Sequence, residues 1–257
     1  MYNNLNTYIN KKAISISAKE QDSFVFNCAK NCWGTCCIKE NVGMLHLSIY
    51  DVYRLQIARK NLAVLEIVDV KIDEKNNLPR AFIKWTDEGT CPNLGDEGLC
   101  QVYKDRPYAC RIFPLQAKFI INDETKEVKA DYSVREKVCY GFHKEANPQK
   151  QLISSFLGEA DVLNLEKFEI EEIKLRDSLQ KDLDLKNLSK EKLLLLAQSM
   201  YCLREKIYMK NKYFMDAFSE TLKIPKRIKK VESFTAEELT NLAIFEFVPR
   251  MIKYLEC

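Results

Sequence analysis

Four cysteines lie within ten residues near the start of this chain, at Cys28, Cys32, Cys36 and Cys37. That is more sulfur than a hydrophobic core uses, and thiolate is the soft ligand that zinc and iron–sulfur centres select. A continuous helix would place the first three of these cysteines on one face as ordinary packing residues. However, Gly34 and Thr35 weaken a helix at this point. The spacing therefore favours a metal centre over a buried helix face.

The adjacent pair Cys36 and Cys37 constrains the kind of centre. Neighbouring side chains point to opposite sides of an extended backbone and diverge by about 100° in a helix. We therefore expect the two thiols to point apart, which favours two neighbouring metals or a polynuclear cluster over a single shared ion.

A second group of cysteines follows downstream and brings the expected ligand set to eight: Cys28, Cys32, Cys36, Cys37, Cys91, Cys100, Cys110 and Cys139. Gly95 and Gly98 permit the tight turns that let thiolates converge. The last two cysteines, at positions 202 and 257, lie in helical sequence, and we expect Cys202 and Cys257 to be spectators. At least one of the adjacent pair should join the downstream group.

Two arginines and two histidines accompany these cysteines. Arg106 and Arg111 flank Cys110, where positive charge would lower a thiol pKa and balance a thiolate-rich centre; the alternative is surface ion pairing. His46 stands between leucines and is expected to be a core residue. His143 follows Cys139 with three residues between them and is the better candidate ligand of the two.

Composition excludes several functions. A chain of 257 residues with 46% hydrophobic and 30% charged residues has a globular composition, and its net charge of +3 is too small to imply a nucleic-acid partner. The basic run at residues 223–230 is expected to be a solvated linker.

No membrane span or signal peptide is expected, so we predict a cytoplasmic protein, where thiols serve as metal ligands more often than as disulfides. Neither common glycine-rich nucleotide motif occurs.

The remaining sequence predicts an α+β fold in which small antiparallel hairpins and loops surround the cysteine cluster and a C-terminal helical bundle follows. We expect a strand at residues 44–47, a helix capped by Ser48 and reaching residue 60, a hairpin from residues 64–72 and 80–85, and a second hairpin from residues 117–121 and 127–132. Helices are expected at residues 151–165, at 189–222, and from Thr235 onward with a kink at Pro249. The predicted domains are an N-terminal arm (1–23), a cysteine-cluster domain (24–150) and a helical domain (151–257).

The pattern of the eight cysteines resembles the YkgJ-type cysteine-cluster family, described as zinc- or iron-chelating. The resemblance covers about half the chain and rests on the run ending in two adjacent cysteines and on the block Tyr103, Arg106-Pro107, Cys110-Arg111 and Pro114. The usual opening has two residues in each gap, whereas this chain has three. The resemblance implies that the eight cysteines chelate metal. It also implies a distant relation to flagellin lysine N-methylases.

Two functions therefore remain open. The first is a metal-binding protein with a structural, sensing or electron-transfer role, whose helical domain offers a surface to a protein partner; an iron–sulfur cluster is favoured over zinc because of the neighbouring arginines and the resemblance. The second is a protein lysine N-methyltransferase that uses S-adenosylmethionine, which rests on the resemblance alone. Radical S-adenosylmethionine chemistry is disfavoured, because the usual spacing and the β/α alternation of a barrel are missing.

Overall fold

The computed structural model describes residues 23–28, 34–60, 62–135, 139–182, 185, 187–204 and 234–255. Its strands are β1 (Ser23–Phe26), β2 (His46–Leu47), β3 (Val68–Ile72), β4 (Pro79–Ile83), β5 (Leu115–Ile121), β6 (Val128–Val134) and β7 (Gln149–Leu152). Its α-helices are α1 (Lys39–Val42), α2 (Ile49–Ala58), α3 (Val64–Ile67), α4 (Tyr108–Ile112), α5 (Ile153–Glu159), α6 (Val162–Asp182), α7 (Lys190–Tyr201), α8 (Ala236–Asn241) and α9 (Val248–Leu255). The predicted α+β class, with small antiparallel sheets and a C-terminal helical region, is confirmed.

Contacts divide the chain into two compact units. The first unit comprises Met1–Leu45 and Ile83–Ile170, and the second comprises His46–Phe82 and Glu171–Cys257. The predicted domains are drawn differently and remain a prediction. The predicted N-terminal arm and the basic run at residues 223–230 lie outside the described residues, apart from the last residue of the arm.

In the first unit, β1 and β7 form an antiparallel pair although they are far apart in sequence. Phe24 and Phe26 alternate with exposed neighbours and are buried, as the two-residue period of a strand requires. Their rings pack on Phe156 with centroids 5.4 Å and 6.0 Å away. Burying rings of this size stabilises the unit by about 1.5–3 kcal/mol each.

The second pair in this unit is the hairpin of β5 and β6, which confirms the hairpin expected from the sequence. Its strands support a buried group of polar side chains. The hydroxyls of Tyr108 and Tyr132 are 3.0 Å apart, and both donate to the carboxylate of Glu166. Burial raises the pKa of Tyr108, so this phenol stays protonated and keeps its role as a donor.

The second unit contains most of the three-stranded sheet β2-β4-β3, in which β2 and β4 are antiparallel, and the helices packed with it. The predicted capping box of α2 is confirmed, because the Ser48 side chain accepts from the Asp51 amide at 3.2 Å while the Asp51 carboxylate accepts from the Ser48 amide. The Tyr53 hydroxyl donates to the carbonyl of Met200 at 2.8 Å, which ties α2 to α7.

A buried ion pair lies among these elements. Arg176 donates to the Glu172 carboxylate, to the Tyr201 hydroxyl and to the carbonyl of Pro79, at distances of 2.6–2.8 Å. The other carboxylate oxygen of Glu172 accepts from the amide of Ile49 at 2.5 Å. The buried charges of Arg176 and Glu172 are therefore paired with each other and bonded to further polar groups, as buried charges require.

Three sequence predictions differ from the structure. Residues 64–67 form a helical turn instead of strand, because Glu66 accepts from the amide of Ala63 and caps it. The helix predicted at residues 151–165 is divided: Gln151 and Leu152 belong to β7, and Asp161 has a φ of 54°, which separates α5 from α6. The helix predicted at residues 189–222 ends at Tyr201, and its remainder after residue 204 lies outside the described residues.

The capping box predicted at Thr235 is confirmed. The helix that it opens widens into a π-helical segment, Leu242–Phe247, directly before α9. Pro249 lacks an amide hydrogen, so a regular α-helical bond to the preceding turn cannot form there. No helix among the described residues combines the length and the apolar character that crossing a bilayer requires.

Two neighbouring glutamates of α6 test the energetics of the second unit. The Glu172 side chain is 3% exposed, whereas that of Glu171 is 33% exposed and pairs with Lys174 at the surface. Glu172→Gln leaves Arg176 without its counter-charge and should lower the free energy of unfolding by about 3–5 kcal/mol. Glu171→Gln should lower it by less than about 1 kcal/mol. Urea denaturation measures both, and equal losses would contradict the assignment.

Candidate metal centre

In the cysteine run, defined here as residues 28–37, a glycine in left-handed conformation precedes the adjacent pair Cys36 and Cys37. Gly34 has a φ of 66°, which glycine adopts without the steric penalty of a Cβ. A single 3-10 turn then covers Thr35–Cys37, and the Cys37 amide donates to the Gly34 carbonyl at 2.6 Å. A right-handed helix cannot pass through a residue with this φ. Cys36 therefore does not share a continuous helix with Cys28.

The residue after this turn joins the cysteine run to the downstream loop. Ile38 is extended and forms an antiparallel bridge with Thr90. The amide of Cys91 donates to the carbonyl of Cys37 at 2.8 Å, and a second backbone bond of 2.8 Å closes the other side of the bridge. The two sequence regions are thus paired backbone to backbone.

The downstream loop folds back on itself as a knuckle, defined here as residues 91–100. Leu94 and Cys100 form an antiparallel bridge, and Gly98, with a φ of 72°, permits the turn between them. A Cβ placed on Gly34 would lie 2.5 Å from Leu94 Cδ1 and 3.3 Å from the Gly98 carbonyl oxygen. The knuckle therefore packs directly on the glycine that turns the cysteine run.

Four thiols interact where these segments meet, and we call Cys36, Cys37, Cys91 and Cys100 the four-thiol cluster. The hydrogen bond with Cys37 lowers the pKa of Cys36 to about 7. The same kind of bond lowers the pKa of Cys91 to about 7. Hydrogen bonds to Cys36 and Cys91, followed by burial, raise the pKa of Cys37. Burial raises the pKa of Cys100, and the neighbouring Cys91 contributes in the same direction.

This arrangement differs from the expectation that Cys36 and Cys37 point apart. Their thiols share a hydrogen bond, and both belong to the cluster with Cys91. The reason is that the turn is neither extended nor α-helical, so rotation about each Cα–Cβ bond can bring neighbouring sulfurs together. Adjacency in sequence therefore does not prevent these two thiols from facing one ion.

One of the two predicted arginines lies at the cluster. The Arg106 guanidinium lies over the Tyr103 ring, 3.8 Å from its centroid, and donates to the Tyr103 carbonyl at 3.1 Å. After the hydrogen bond from Cys37, its positive charge further lowers the pKa of Cys36. Arg111 instead donates to two backbone carbonyls, which gives it a role in positioning the chain.

The other cysteines of the expected set lie elsewhere in the first unit. The Cys139 sulfur accepts from the Gly141 amide at 3.4 Å, and the Gly141 carbonyl accepts from the Asn27 amide at 3.1 Å. Asn27 directly precedes Cys28, so the chain at Cys28 lies beside the turn that follows Cys139. Cys110 is in α4 and is partly exposed.

Three cysteines need separate mention. Cys32 and Cys257 lie outside the described residues. Cys202 belongs to the second unit, where it is buried and ends α7. The seven described cysteines between residues 28 and 139 all belong to the first unit.

The two histidines are not part of the four-thiol cluster. His46 belongs to the second unit, where its ring packs on Phe82 with centroids 5.9 Å apart. Burial, followed by the charges of Arg176 and Arg80, lowers the pKa of His46 to about 3. His46 is thus a neutral core residue. His143 is exposed and stacks on Tyr140 with centroids 5.5 Å apart.

Asn93 is a residue of the centre that the sequence reasoning missed. It is 2% exposed, and its hydrogen bonds lower the pKa of Cys91 in addition to the larger effect of Cys37. Its carbonyl accepts from the Gln101 amide at 2.8 Å and closes the knuckle. The sequence signal that could have identified it is an asparagine directly after a proline in a predicted turn, because asparagine side chains in turns readily form hydrogen bonds with nearby backbone.

Thiols are suitable metal ligands, but in this structure the thiols of the cluster are arranged as hydrogen-bonding partners. Among the described residues, no three Cys, His, Asp or Glu side chains are positioned to hold an ion. A zinc–sulfur bond of about 2.3 Å gives a tetrahedron with sulfurs about 3.8 Å apart, close to the length of a thiol–thiol hydrogen bond. Loss of the thiol protons and rotation of the side chains would be needed to convert the cluster into a ligand set.

The fold and the cysteines define a thiol-rich α+β domain of the metal-chelating class. Residues 27–153 match the CxxCxxCC family, described as a "putative zinc- or iron-chelating domain", and this half of the chain belongs to that family. The YkgJ-type resemblance is consistent with this match. The match supports metal binding by the cysteine-rich domain.

The comparison with curated proteins and the comparison with solved structures gave no match.

Substitution of Gly34 tests the packing of the cysteine run on the knuckle. Gly34→Ala combines a strained φ with a Cβ that overlaps Leu94, and we expect a loss of about 1–3 kcal/mol in unfolding free energy together with reduced metal content. Gly158→Ala is the control, because its Cβ meets nothing within 4 Å and alanine favours the helix there. Calorimetry and elemental analysis measure both effects. Unchanged stability and metal content in Gly34→Ala would contradict the close packing.

Proposed function

We propose that this domain holds metal ions through two groups of four cysteine thiolates, and that the four-thiol cluster is one of them. The observation that carries the proposal is the backbone pairing that joins Cys37 to Cys91 and closes the knuckle at Cys100, together with the effects of these thiols on one another's pKa values. Thiolates in such numbers bind zinc or iron strongly. The family match is to a domain described by the same chemistry.

The second group in this proposal consists of Cys28, Cys32, Cys110 and Cys139. Its support is the backbone bond of 3.1 Å between Asn27 and Gly141, which sets the chain at Cys28 beside the turn after Cys139. Cys110 and Cys32 complete the group because they are the remaining cysteines of the family segment. Each group then contains two cysteines of the cysteine run and two cysteines from later in the chain.

We further propose that the four-thiol cluster binds one tetrahedral ion, zinc or iron. The hydrogen bonds of Cys37 with Cys36 and Cys91 support this choice, because thiolates around one ion are neighbours, whereas those around a four-iron cluster bind different irons and stand farther apart. The iron–sulfur cluster that the sequence favoured is the competing outcome. Arg106 would offset part of the negative charge in either case.

The role that fits this arrangement is structural. A single ion with four thiolate ligands has no open position for water or substrate, which is the property of structural sites and not of catalytic ones. The ion would link the cysteine run to the knuckle and so add its binding energy to folding. No observation among the described residues favours the methyltransferase alternative, and we propose metal binding alone.

Metal analysis of anaerobically purified protein tests this function. We expect zinc or iron at stoichiometric level, and Cys91→Ser should remove about half of it and lower the melting temperature, because one of two groups loses a ligand. Cys202→Ala, in the second unit, should leave the metal content unchanged.

Three results would count against the proposal in different ways. Absence of both metals from wild-type protein would refute metal binding. Acid-labile sulfide and a coloured spectrum would replace the single ion by an iron–sulfur cluster. Equal metal loss in Cys91→Ser and Cys202→Ala would refute the ligand assignment.

A further inference from the structure

The backbone pairing of Cys37 with Cys91 gives these two residues the spacing of a disulfide. Ile38 is bridged to Thr90 in antiparallel sense, and the Cys91 amide donates to the Cys37 carbonyl at 2.8 Å, so the residue before Ile38 is bonded directly to the residue after Thr90. Residues opposite in an antiparallel pair have Cα atoms about 4.5–5.5 Å apart. A disulfide requires a Cα separation of about 4.4–6.8 Å. The backbone bond therefore brings Cys37 and Cys91 close to the Cα separation that a disulfide requires.

The side chains of this pair also lie on the same side of the bridge. A side-chain hydrogen bond with Cys37 is the largest cause that lowers the pKa of Cys91, so the two thiols face each other. Cys36 is a poorer partner for Cys37, because a bond between adjacent cysteines closes a small ring that strains the planar peptide between them. Cys100 stands opposite Leu94 in its own bridge. Cys37 with Cys91 is thus the pair that the backbone favours.

We propose that Cys37 and Cys91 are a redox modification site: in the metal-free protein, hydrogen peroxide converts them into a disulfide. One thiolate attacks a peroxide oxygen, the O–O bond breaks, and a sulfenic acid forms while the released hydroxide takes up a proton as water. The second thiol then attacks the sulfenic sulfur. The S–S bond forms, the S–O bond breaks, and a second water leaves, so the two thiols lose two electrons and two protons to the peroxide.

Disulfide formation would couple the oxidation state of Cys37 and Cys91 to metal binding by the four-thiol cluster. The disulfide uses two of the four thiols of the cluster, so one cluster cannot hold the disulfide and a four-thiolate ion at once. Bound metal should therefore protect the pair from peroxide, and oxidation of the empty cluster should prevent reloading until a dithiol reductant restores the thiols.

The test uses the full chain, stripped of metal under anaerobic conditions and then exposed to hydrogen peroxide. Remaining thiols are alkylated, the protein is digested, and mass spectrometry maps the linked peptides before and after treatment with dithiothreitol. We expect the peptide that contains Cys91 to be joined to Cys37 and released by the reductant. The same protein loaded with zinc before peroxide is added should form the link several-fold more slowly.

Adjacent variants provide the matched control. Cys36→Ser should keep the link to Cys91, whereas Cys37→Ser should lose it. Circular dichroism checks that both variants fold, and the map of the wild-type protein decides the question if one does not. A link from Cys36 to Cys37, a link from Cys36 to Cys91, or oxidation to sulfinic acid without any link would overturn the proposal.

These outcomes are separate from those of the proposed metal site. A wild-type protein without stoichiometric metal would refute metal binding and leave the mapped link standing. Normal metal content with no link between Cys37 and Cys91 after peroxide would refute only the redox site.

Discussion

The antiparallel bridge between Ile38 and Thr90 is the contact on which the four-thiol cluster depends. Closing the intervening loop of some fifty residues costs about 3–4 kcal/mol in chain entropy. Two backbone hydrogen bonds return about 1–3 kcal/mol, so the bridge alone is marginal. A structural zinc contributes about 10–16 kcal/mol of apparent binding energy. In the arrangement that we propose, a bound metal ion would hold the cysteine run on the knuckle, and the bridge would determine which thiols bind that ion.

The parts of the fold that were predictable from sequence are those that depend on local signals. The capping boxes at Ser48 and Thr235 involve residues three apart, so a short stretch of sequence specifies them. Residues 149–152 form a strand because they pair with β1, more than a hundred residues earlier, and no local pattern carries that information. Residues 64–67 have strand-forming side chains, but the carboxylate of Glu66 stabilises a helical turn there.

The candidate site was also predictable only in part. The residue types could be predicted, because eight closely spaced cysteines are typical of metal ligands, and Arg106 was expected beside Cys110. What could not be read was which thiols meet. That depends on the left-handed φ of Gly34 and on the pairing of Ile38 with Thr90, and both are properties of the folded backbone. For the same reason Asn93 was missed, since its bond to Cys91 exists only in the closed knuckle.

The most direct test of the central claim is the metal-edge X-ray absorption fine structure of the anaerobically purified wild-type protein. If the four-thiol cluster and the second group each hold a single ion through four thiolates, the first shell contains about four sulfur atoms near 2.3 Å for zinc, with no metal–metal scattering. Nitrogen or oxygen ligands in that shell, or a metal–metal distance of an iron–sulfur cluster, would contradict the arrangement proposed for Cys36, Cys37, Cys91 and Cys100.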